Sequence, residues 1–227
     1  VEALSRTGRI ERESVLEAIR AVPRHEFVPE AHRGKAYQDR PLPIGHDQTI
    51  SAPHMVAIMC DHLALSPGDR VLEIGTGCGY HAAVVGELVG AENVYSVEYR
   101  PELADAARDR LARLGYDIYV RAGDGHEGWP EYAPYDAAYL TCATPELPEA
   151  VVEQVAPDGR IVAPVGTDSQ ELVVLDRREN GADQRQNAVY AGPPVSRRAS
   201  ERTGRVRPSV AGPPRFPVCR GRRVPAS

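Results

Sequence analysis

The sequence has few of the residues that build metal centres, disulfide scaffolds or membrane spans. Its four cysteines, Cys60, Cys78, Cys142 and Cys219, form no C-x-x-C pair and keep no regular spacing to the seven histidines. We therefore expect neither a bound metal nor a disulfide framework. No apolar run approaches the ~20 residues of a bilayer span, and the opening residues VEALSRTGRIERES contain no apolar signal segment. These absences predict a cytoplasmic protein with no membrane partner.

Lysine is nearly absent, and charge is divided unevenly along the chain. Lys35 is the one lysine, and residues 1–181 carry 17 Lys and Arg against 30 Asp and Glu. Residues 182–227 carry 10 Arg against 2 acidic residues. Because phosphate binding depends on clustered positive charge, the acidic body argues against nucleic acid as a partner. The length allows one main core, and we expect a monomer.

From residue 69 onward, short apolar runs alternate with helical patterns. Strands are predicted at 69–74, 93–98, 117–124, 135–143, 160–166 and 170–177, and helices at 80–89, 101–115 and 145–155. A further helix is predicted at 11–22, because apolar residues recur there at helical spacing before Pro23. This alternation predicts an α/β fold of the Rossmann-like, doubly wound type, with a mostly parallel sheet, helices on both faces and an N-terminal helical extension.

The segment VLEIGTGCGY (71–80) is the strongest indication of a ligand site. A strand carrying Glu73 leads into Gly75, Gly77 and Gly79, which let a ligand approach the backbone before a helix begins. The spacing is G-x-G-x-G rather than the G-x-G-x-x-G of dinucleotide sites, which argues against a dehydrogenase. It suits a ligand with a positively charged amino-acid group. A purely structural glycine turn is the alternative.

Two more acidic residues follow successive predicted strands. Glu98 ends the second strand, where a carboxylate can accept both hydroxyls of a ribose, and Asp124 follows the third in AGDGHEG. Each alone could be a solvated loop residue. Their recurrence at the strand ends where open α/β sheets bind ligands favours a nucleoside site.

Several motifs resemble those of class I S-adenosylmethionine-dependent methyltransferases: VLEIGTGCGY, YSVE, GDGHEGWPEYAPYDAAYLTCA and PDGRIVAPVG. The segment RHEFVPEAHRGKAYQDRPLPIGHDQTISAPHMVAIM is similar to the N-terminal signature of the protein-L-isoaspartate O-methyltransferase family. The resemblance extends from about residue 8 to 180, and QTISAPH is its most specific part.

The resemblance implies S-adenosylmethionine as cofactor and, as substrate, the free α-carboxyl of L-isoaspartyl residues in damaged proteins. It places Ser51 against the substrate carboxylate with Thr49 close by. Because a carboxylate is ionised at neutral pH, Ser51 would position it rather than remove a proton. The residues implied for the cofactor are Glu73, Gly75, Thr76, Gly77, Gly79, Glu98, Asp124 and Gly125. Histidines 46, 54, 81 and 126 are interpreted as polar lining or surface, and Trp129 and Tyr132 either stack on adenine or pack in an aromatic corner.

We divide the chain into a substrate-contacting extension (1–68), a cofactor-binding domain (69–181) and a disordered, basic, Pro- and Arg-rich tail (182–227). The family's usual final strand is not recognisable, so we expect the 170–177 strand to have an exposed edge. Residues from 182 are interpreted as a shifted reading frame or a divergent end, and a tail that binds acidic partners is the functional alternative. Two other functions stay open: an inactive cofactor-binding relative and a small-molecule O-methyltransferase.

Overall fold

The computed structural model describes residues 10–167, residues 169–178 and the strand Gln184–Ala188. The helices are α1 (Glu13–Ala21), α2 (Pro53–Leu63), α3 (Tyr80–Val89), α4 (Pro101–Arg113) and α5 (Glu149–Glu153). The strands are β1 (Leu42–Gly45), β2 (Gln48–Ile50), β3 (Val71–Ile74), β4 (Val94–Glu98), β5 (Tyr119–Ala122), β6 (Tyr135–Leu140), β7 (Val155–Val165), β8 (Glu171–Asp176) and β9 (Gln184–Ala188). The predicted alternation of strands and helices is confirmed.

Seven strands form the main sheet in the order β5-β4-β3-β6-β7-β8-β9. Strands β3 to β7 pair in parallel, whereas β8 is antiparallel to β7 and β9 is antiparallel to β8. After β3, the chain adds β4 and β5 on one side of this strand in the sheet. It then crosses back and adds β6 and β7 on the other side of β3. The carboxyl end of β3 is therefore the point where strand order reverses, which is where open sheets of this type bind ligands.

Apolar side chains cover both faces of the sheet. Val71 of β3 belongs to a buried cluster that includes residues of α1, α2 and α3. Leu72 and Ile74 belong to a second cluster, which includes Val151 of α5. Because successive side chains of a strand point to opposite faces and all four residues of β3 are buried, the strand requires cover on both faces. The predicted Rossmann-like, doubly wound fold is confirmed.

The N-terminal extension contains a β-hairpin that the sequence did not predict. Strand β1 pairs antiparallel with β2, and Gly45 pairs with Gln48 across a two-residue turn. The turn residues His46 and Asp47 have φ of 52° and 57°, as a type I′ turn requires. The hairpin leads directly into α2.

The region around residues 145–165 differs from the prediction. Helix α5 begins at Glu149 rather than at residue 145, and β7 begins at Val155 rather than at 160. Two prolines, Pro145 and Pro148, precede the helix, and a proline lacks the N–H that an internal helical position must donate. The helix accordingly starts immediately after Pro148.

The expectation that the 170–177 strand has an exposed edge is wrong. Strand β9 lies within the predicted tail and pairs with β8 from Leu172↔Ala188 to Asp176↔Gln184. The pattern was missed because QRQNA has no apolar alternation, and pairing with an existing strand does not require one. The rest of the tail, residues 182–183 and 189–227, lies outside the described residues.

Two further observations bear on the sequence predictions. None of the helices in the described part of the chain combines the length and apolar character needed to span a bilayer. Cys60 and Cys78 are free and buried, whereas Cys142 is disulfide-bonded, which the scattered cysteine spacing did not predict.

Candidate functional site

A cavity lies where the strand order reverses, at the carboxyl ends of β3 and β4. About 970 Å³ of space free of protein atoms, including space open to solvent, lies between its lining residues. It is lined by residues of the hairpin, the glycine loop and three strand ends: Gln48, Thr49, Ile50, Ser51, Val56, Ile74, Gly75, Thr76, Gly77, Cys78, Tyr80, His81, Val97, Glu98, Tyr99, Arg100, Gly125, His126, Leu140, Thr141, Cys142 and Pro148. Segments that are distant in the sequence therefore meet around one space.

The glycine loop has a backbone that requires glycine at its first position. Gly75 has a φ of +97°, its N–H donates to the Val97 carbonyl at 2.8 Å, and its carbonyl accepts from the Thr141 hydroxyl at 2.6 Å. A Cβ at Gly75 would overlap Thr141 Oγ1. The loop backbone thus lies against β4 and the end of β6, with its open side towards the cavity.

The third glycine of the loop has a packing role. Gly79 has a φ of +88° and directly precedes α3. A Cβ there would lie 3.1 Å from the Leu111 side chain of α4. Gly79 is not among the cavity-lining residues, so its predicted direct contact with a cofactor is not supported by its position.

Glu98 is held at the cavity rim by backbone donors. The Gly77 N–H donates to Glu98 Oε2 at 2.8 Å, and the Arg100 N–H donates to Oε1 at 3.0 Å. The carboxylate therefore joins the end of β4 to the glycine loop. Its remaining lone pairs can accept hydrogen bonds from a ligand.

Glu73 lies behind the glycine loop and does not line the cavity. It is fully buried and accepts hydrogen bonds from the Ser96 hydroxyl and, at 2.9 Å, from the Tyr139 hydroxyl. The Thr76 Oγ1 lies 2.5 Å from Ser96 Oγ, so a chain of hydroxyls connects Glu73 to a residue that does line the cavity. The predicted contact between Glu73 and a cofactor is replaced by this indirect connection.

Burial raises the pKa of Glu73 to about 7, and the negative charge of Glu98 acts in the same direction. The hydrogen bonds from Ser96 and Tyr139 oppose the shift, because they stabilise the ionised form. The effect of desolvation is the larger one, so the carboxyl group of Glu73 titrates near neutral pH.

Asp124 and Gly125 sit at the end of β5. The Asp124 carboxylate accepts from the His126 N–H at 2.9 Å and so caps a short 3-10 turn. Gly125 and His126 line the cavity, whereas Asp124 does not. A Cβ at Gly125 would overlap Ile74 Cγ2, so glycine allows this loop to pack against the end of β3.

The segment from Gln48 to Ser51 contributes further polar residues to the cavity lining. Thr49 is exposed and Ser51 is half-buried, and both line the cavity together with Gln48. The Ser51 carbonyl accepts a hydrogen bond from Arg24 Nη2 at 2.7 Å. The structure thus brings the predicted Ser51 and Thr49 to the same cavity as the predicted Gly75, Thr76, Gly77, Glu98 and Gly125.

The four histidines near these motifs have different surroundings. His46 occupies the exposed hairpin turn, His54 pairs with Asp39 at 2.7 Å, and His126 lies 3.1 Å from Asp124. His81 lines the cavity but is buried, with Nε2 3.4 Å from Cys60 Sγ. Burial lowers the pKa of His81 to about 3, so its imidazole is neutral at neutral pH.

Trp129 and Tyr132 pack in an aromatic corner and do not line the cavity. Their rings lie 6.0 and 4.5 Å from that of Tyr95, which also stacks on Tyr119 at 4.9 Å. The alternative that they stack on adenine is therefore not supported. Sequence analysis missed several lining residues, among them Tyr99, Arg100 and Thr141. All three directly follow the strand ends of β4 or β6, so the rule that identified Glu98 could have found them.

Comparison with known proteins identifies the family. The family model for protein-L-isoaspartate(D-aspartate) O-methyltransferase matches residues 1–191. The chain belongs to this family. The resemblance stated from the sequence motifs is confirmed, and the match extends beyond residue 180 to include β9.

Individual relatives agree with the family assignment. Protein-L-isoaspartate O-methyltransferase 2 of Archaeoglobus fulgidus is 55% identical over 175 residues, which cover 76% of this chain and 80% of that protein. A solved protein-L-isoaspartate O-methyltransferase superposes with a TM-score of 0.73 at 30% identity, over 84% of this chain and 64% of that chain. This chain therefore spans less than two thirds of that solved structure's length.

A second solved structure contains a bound nucleoside. A Plasmodium falciparum protein assigned as a protein-L-isoaspartate O-methyltransferase, solved in complex with S-adenosyl-L-homocysteine, superposes with a TM-score of 0.70 at 26% identity. The match covers 83% of this chain and 93% of that chain. The fold that carries the cavity is thus shared with a family structure holding the demethylated form of the expected cofactor.

Proposed function

We propose that this protein transfers the methyl group of S-adenosylmethionine to the free α-carboxyl of L-isoaspartyl residues in damaged proteins. The main support for the proposal is that two separate parts of the chain line one cavity. One wall is the glycine loop with Glu98, and the other is the hairpin segment from Gln48 to Ser51. A nucleoside on the first wall and a carboxylate on the second would meet across the cavity.

The cavity residues fit S-adenosylmethionine. Gly75 and Gly77 leave the loop backbone uncovered by side chains, and the Glu98 carboxylate suits the two hydroxyls of a ribose. Gly125 and Tyr99 lie at positions suited to the adenine side. We assign Asp124 and Gly79 to shaping the loops, and Glu73 to supporting Thr76 through Ser96. When bound, the cofactor supplies a methyl group on a positively charged sulfur, which is a good leaving group.

The protein's own contribution is alignment. The substrate carboxylate is ionised at neutral pH, so no strong base is needed. The Ser51 hydroxyl can donate a hydrogen bond to one carboxylate oxygen and orient the other for in-line attack, with Thr49 beside it. His81, neutral and buried, is not required to move a proton.

The two alternative functions lose their main support. The inactive relative was inferred from a missing final strand, and β9 provides a strand at that edge. A small-molecule O-methyltransferase predicts a different segment in place of QTISAPH. The whole family match, from residue 1 to 191, favours the protein substrate.

The test is transfer of labelled methyl from S-adenosylmethionine to a peptide containing L-isoaspartate, with the matching aspartate peptide as control. We expect base-labile label on the isoaspartyl peptide alone. Label on both peptides would indicate a less selective carboxyl methyltransferase. No transfer to either peptide, with S-adenosylhomocysteine binding intact in the same preparation, would overturn the proposed activity.

We further propose that residues 1–68 contribute the peptide side of the site and residues 69–181 the cofactor side. We propose a cytoplasmic monomer that binds neither nucleic acid nor membranes, in keeping with the acidic body. Light scattering after size exclusion tests the monomer, and cell fractionation tests the location.

A further inference from the structure

Arg24 is a buried cation beside the candidate site. It begins the 3-10 segment Arg24–Phe27 and is 1% exposed. Burial lowers the pKa of its guanidinium, and in the described part of the chain it forms no ion pair with a carboxylate. A charge taken out of water without an anionic partner is costly, so its retention calls for an explanation in what it contacts.

The guanidinium connects three segments of the chain, two of which line the cavity. Its Nε donates to the Ala36 carbonyl at 2.8 Å, and its Nη2 donates to the Ser51 carbonyl at 2.7 Å. Its Cζ lies 4.7 Å from the centroid of the Tyr80 ring. Nη1 is buried and has no hydrogen-bond partner among the residues that the structure describes.

Each of these contacts has a defined place in the fold. Ala36 follows the 3-10 segment Glu30–Lys35, which precedes the hairpin. Ser51 lies between β2 and α2, and Tyr80 is the first residue of α3 after the glycine loop; both line the cavity. One planar group therefore ties the hairpin wall of the cavity to the glycine-loop wall.

We propose that Arg24 is a positioning residue for methyl transfer: it holds the backbone of Ser51 so that the Ser51 hydroxyl faces the substrate carboxylate. This inference rests on the proposed function. The Ser51 hydroxyl oxygen is joined through Cβ to the Cα of the residue whose carbonyl Arg24 holds, and a displacement of about 1 Å in a positioning group can cost ~100-fold in rate.

Lysine cannot replace this arrangement. Two N–H groups of the planar guanidinium donate to the Ala36 and Ser51 carbonyls, and the same group lies over the Tyr80 ring. Only a guanidinium combines these contacts. A lysine ammonium is a point charge on a flexible stem and lacks the planar face. Arg24→Lys keeps the positive charge, so it separates the effect of charge from that of geometry.

A purely structural role is the competing explanation, and Arg160 offers a matched control. Arg160 Nη1 donates to the His62 carbonyl at 3.0 Å, and Nε donates to Asp176 at 2.6 Å. His62 lies at the far end of α2 from Ser51. Arg160→Met thus removes an arginine–carbonyl contact from the helix that follows Ser51, and neither Arg160 nor His62 lines the cavity.

The kinetic test compares Arg24→Lys, Arg24→Ala and Arg160→Met at saturating cofactor and isoaspartyl peptide. We expect kcat to fall by about tenfold for Arg24→Lys and about 100-fold for Arg24→Ala, with the cofactor KM changed by less than about threefold. Low millimolar guanidinium should restore part of the kcat of Arg24→Ala, while equal methylammonium should not. Losses no larger than that of Arg160→Met would overturn the proposal.

A double-mutant cycle with Ser51→Ala tests whether Arg24 acts through Ser51. We expect Arg24→Ala to add little to the kcat loss of Ser51→Ala, because both changes remove the same alignment. Losses that multiply independently would overturn the proposal. So would a large effect of Arg24→Ala combined with no effect of Ser51→Ala.

A measurement independent of activity separates this inference from the proposed function. Amide hydrogen exchange over residues 48–55 should be faster in Arg24→Ala than in the wild type and in Arg160→Met. If the wild type transfers no methyl group, the proposed function fails, and the exchange data alone decide whether Arg24 fixes this segment. Unchanged exchange there would overturn the inference whatever the activity.

Discussion

At the residue scale, Glu73 is a buried carboxyl group whose ionised form is stabilised only by hydrogen bonds. Two hydroxyls donate to its carboxylate, none of the described cations pairs with it, and its pKa is raised to about 7. In the unfolded chain the carboxyl ionises near 4.5. The folded state therefore binds more protons than the unfolded state between these two values.

This difference predicts a pH-dependent stability. Below pH 4.5 both states are protonated and Glu73 contributes nothing; from 4.5 to about 7 the free energy of unfolding falls, and above 7 the loss of about 3 kcal/mol is complete. In cofactor-free protein, Glu73→Gln should remove the loss. The variant should match the wild type at pH 4 and exceed it in stability at pH 8, measured by urea unfolding.

The matched control is Glu92→Gln, since Glu92 is exposed. It should follow the wild-type profile at every pH. Parallel profiles for the wild type and Glu73→Gln would contradict the assigned shift. Buried His81, whose pKa is about 3, acts in the opposite sense: it adds stability as pH rises from 3 to 6.5 in both proteins and cancels in the comparison.

Ser51→Ala tests the alignment role directly. We expect kcat for the isoaspartyl peptide to fall about 10- to 100-fold, because the carboxylate loses the donor that orients it. Binding of S-adenosylhomocysteine and the melting temperature should change little, because the Ser51 carbonyl still accepts from Arg24. Ser66→Ala, at an exposed position, is the control, and equal kcat for both variants would contradict the role.

The residues of the site were predictable to different degrees. Glu98 and Gly75 followed from their places at strand ends. Glu73 is the residue before the last in β3, and strand alternation turns its side chain into the packed face, which the motif alone does not reveal. Arg24 was visible only as part of the family signature, because its contact with Ser51 joins residues 27 positions apart.

At the element scale, β9 decides how the sheet ends. Its five residues cover β8, whose Leu172, Val173, Val174 and Leu175 are buried. Without β9, the backbone donors and acceptors of an apolar strand would face solvent. An unprotected edge of that kind is an aggregation site.

Two truncations test this role. A chain ending at residue 181 removes β9 and should aggregate or melt at lower temperature, whereas a chain ending at 191 keeps β9 and the whole matched family region. Light scattering and thermal melting of both chains against the full protein measure the difference. Equal behaviour of the two truncated chains would contradict an edge-protecting role for β9.

At the scale of the whole molecule, the cavity joins the hairpin to the sheet, so ligand binding should stabilise the entire fold. At 100 times its Kd, a ligand that binds only the folded state adds about 2.7 kcal/mol. For a chain of this size this corresponds to an increase of about 5–10 °C in melting temperature.

We expect S-adenosylhomocysteine to produce this increase and NADH to produce none, because the glycine spacing does not suit a pyrophosphate. Differential scanning calorimetry over a range of ligand concentrations checks the prediction. An increase with NADH but not with S-adenosylhomocysteine would contradict the cofactor assignment and restore the dehydrogenase alternative.

The sequence by itself determined the fold class, the family and the position of the site in the chain. Strand and helix periods, glycine spacing and acidic strand ends are local properties, and they are readable because each depends on a few neighbouring residues. The QTISAPH segment likewise identified the family from contiguous residues.

Only the tertiary structure decided which of these residues share the cavity. It placed Ser51 and Thr49 at the same cavity as Gly75 and Glu98, Glu73 outside the cavity lining, and QRQNA in an edge strand. These outcomes depend on contacts between distant segments, and such contacts are set by packing of the whole chain rather than by local preference.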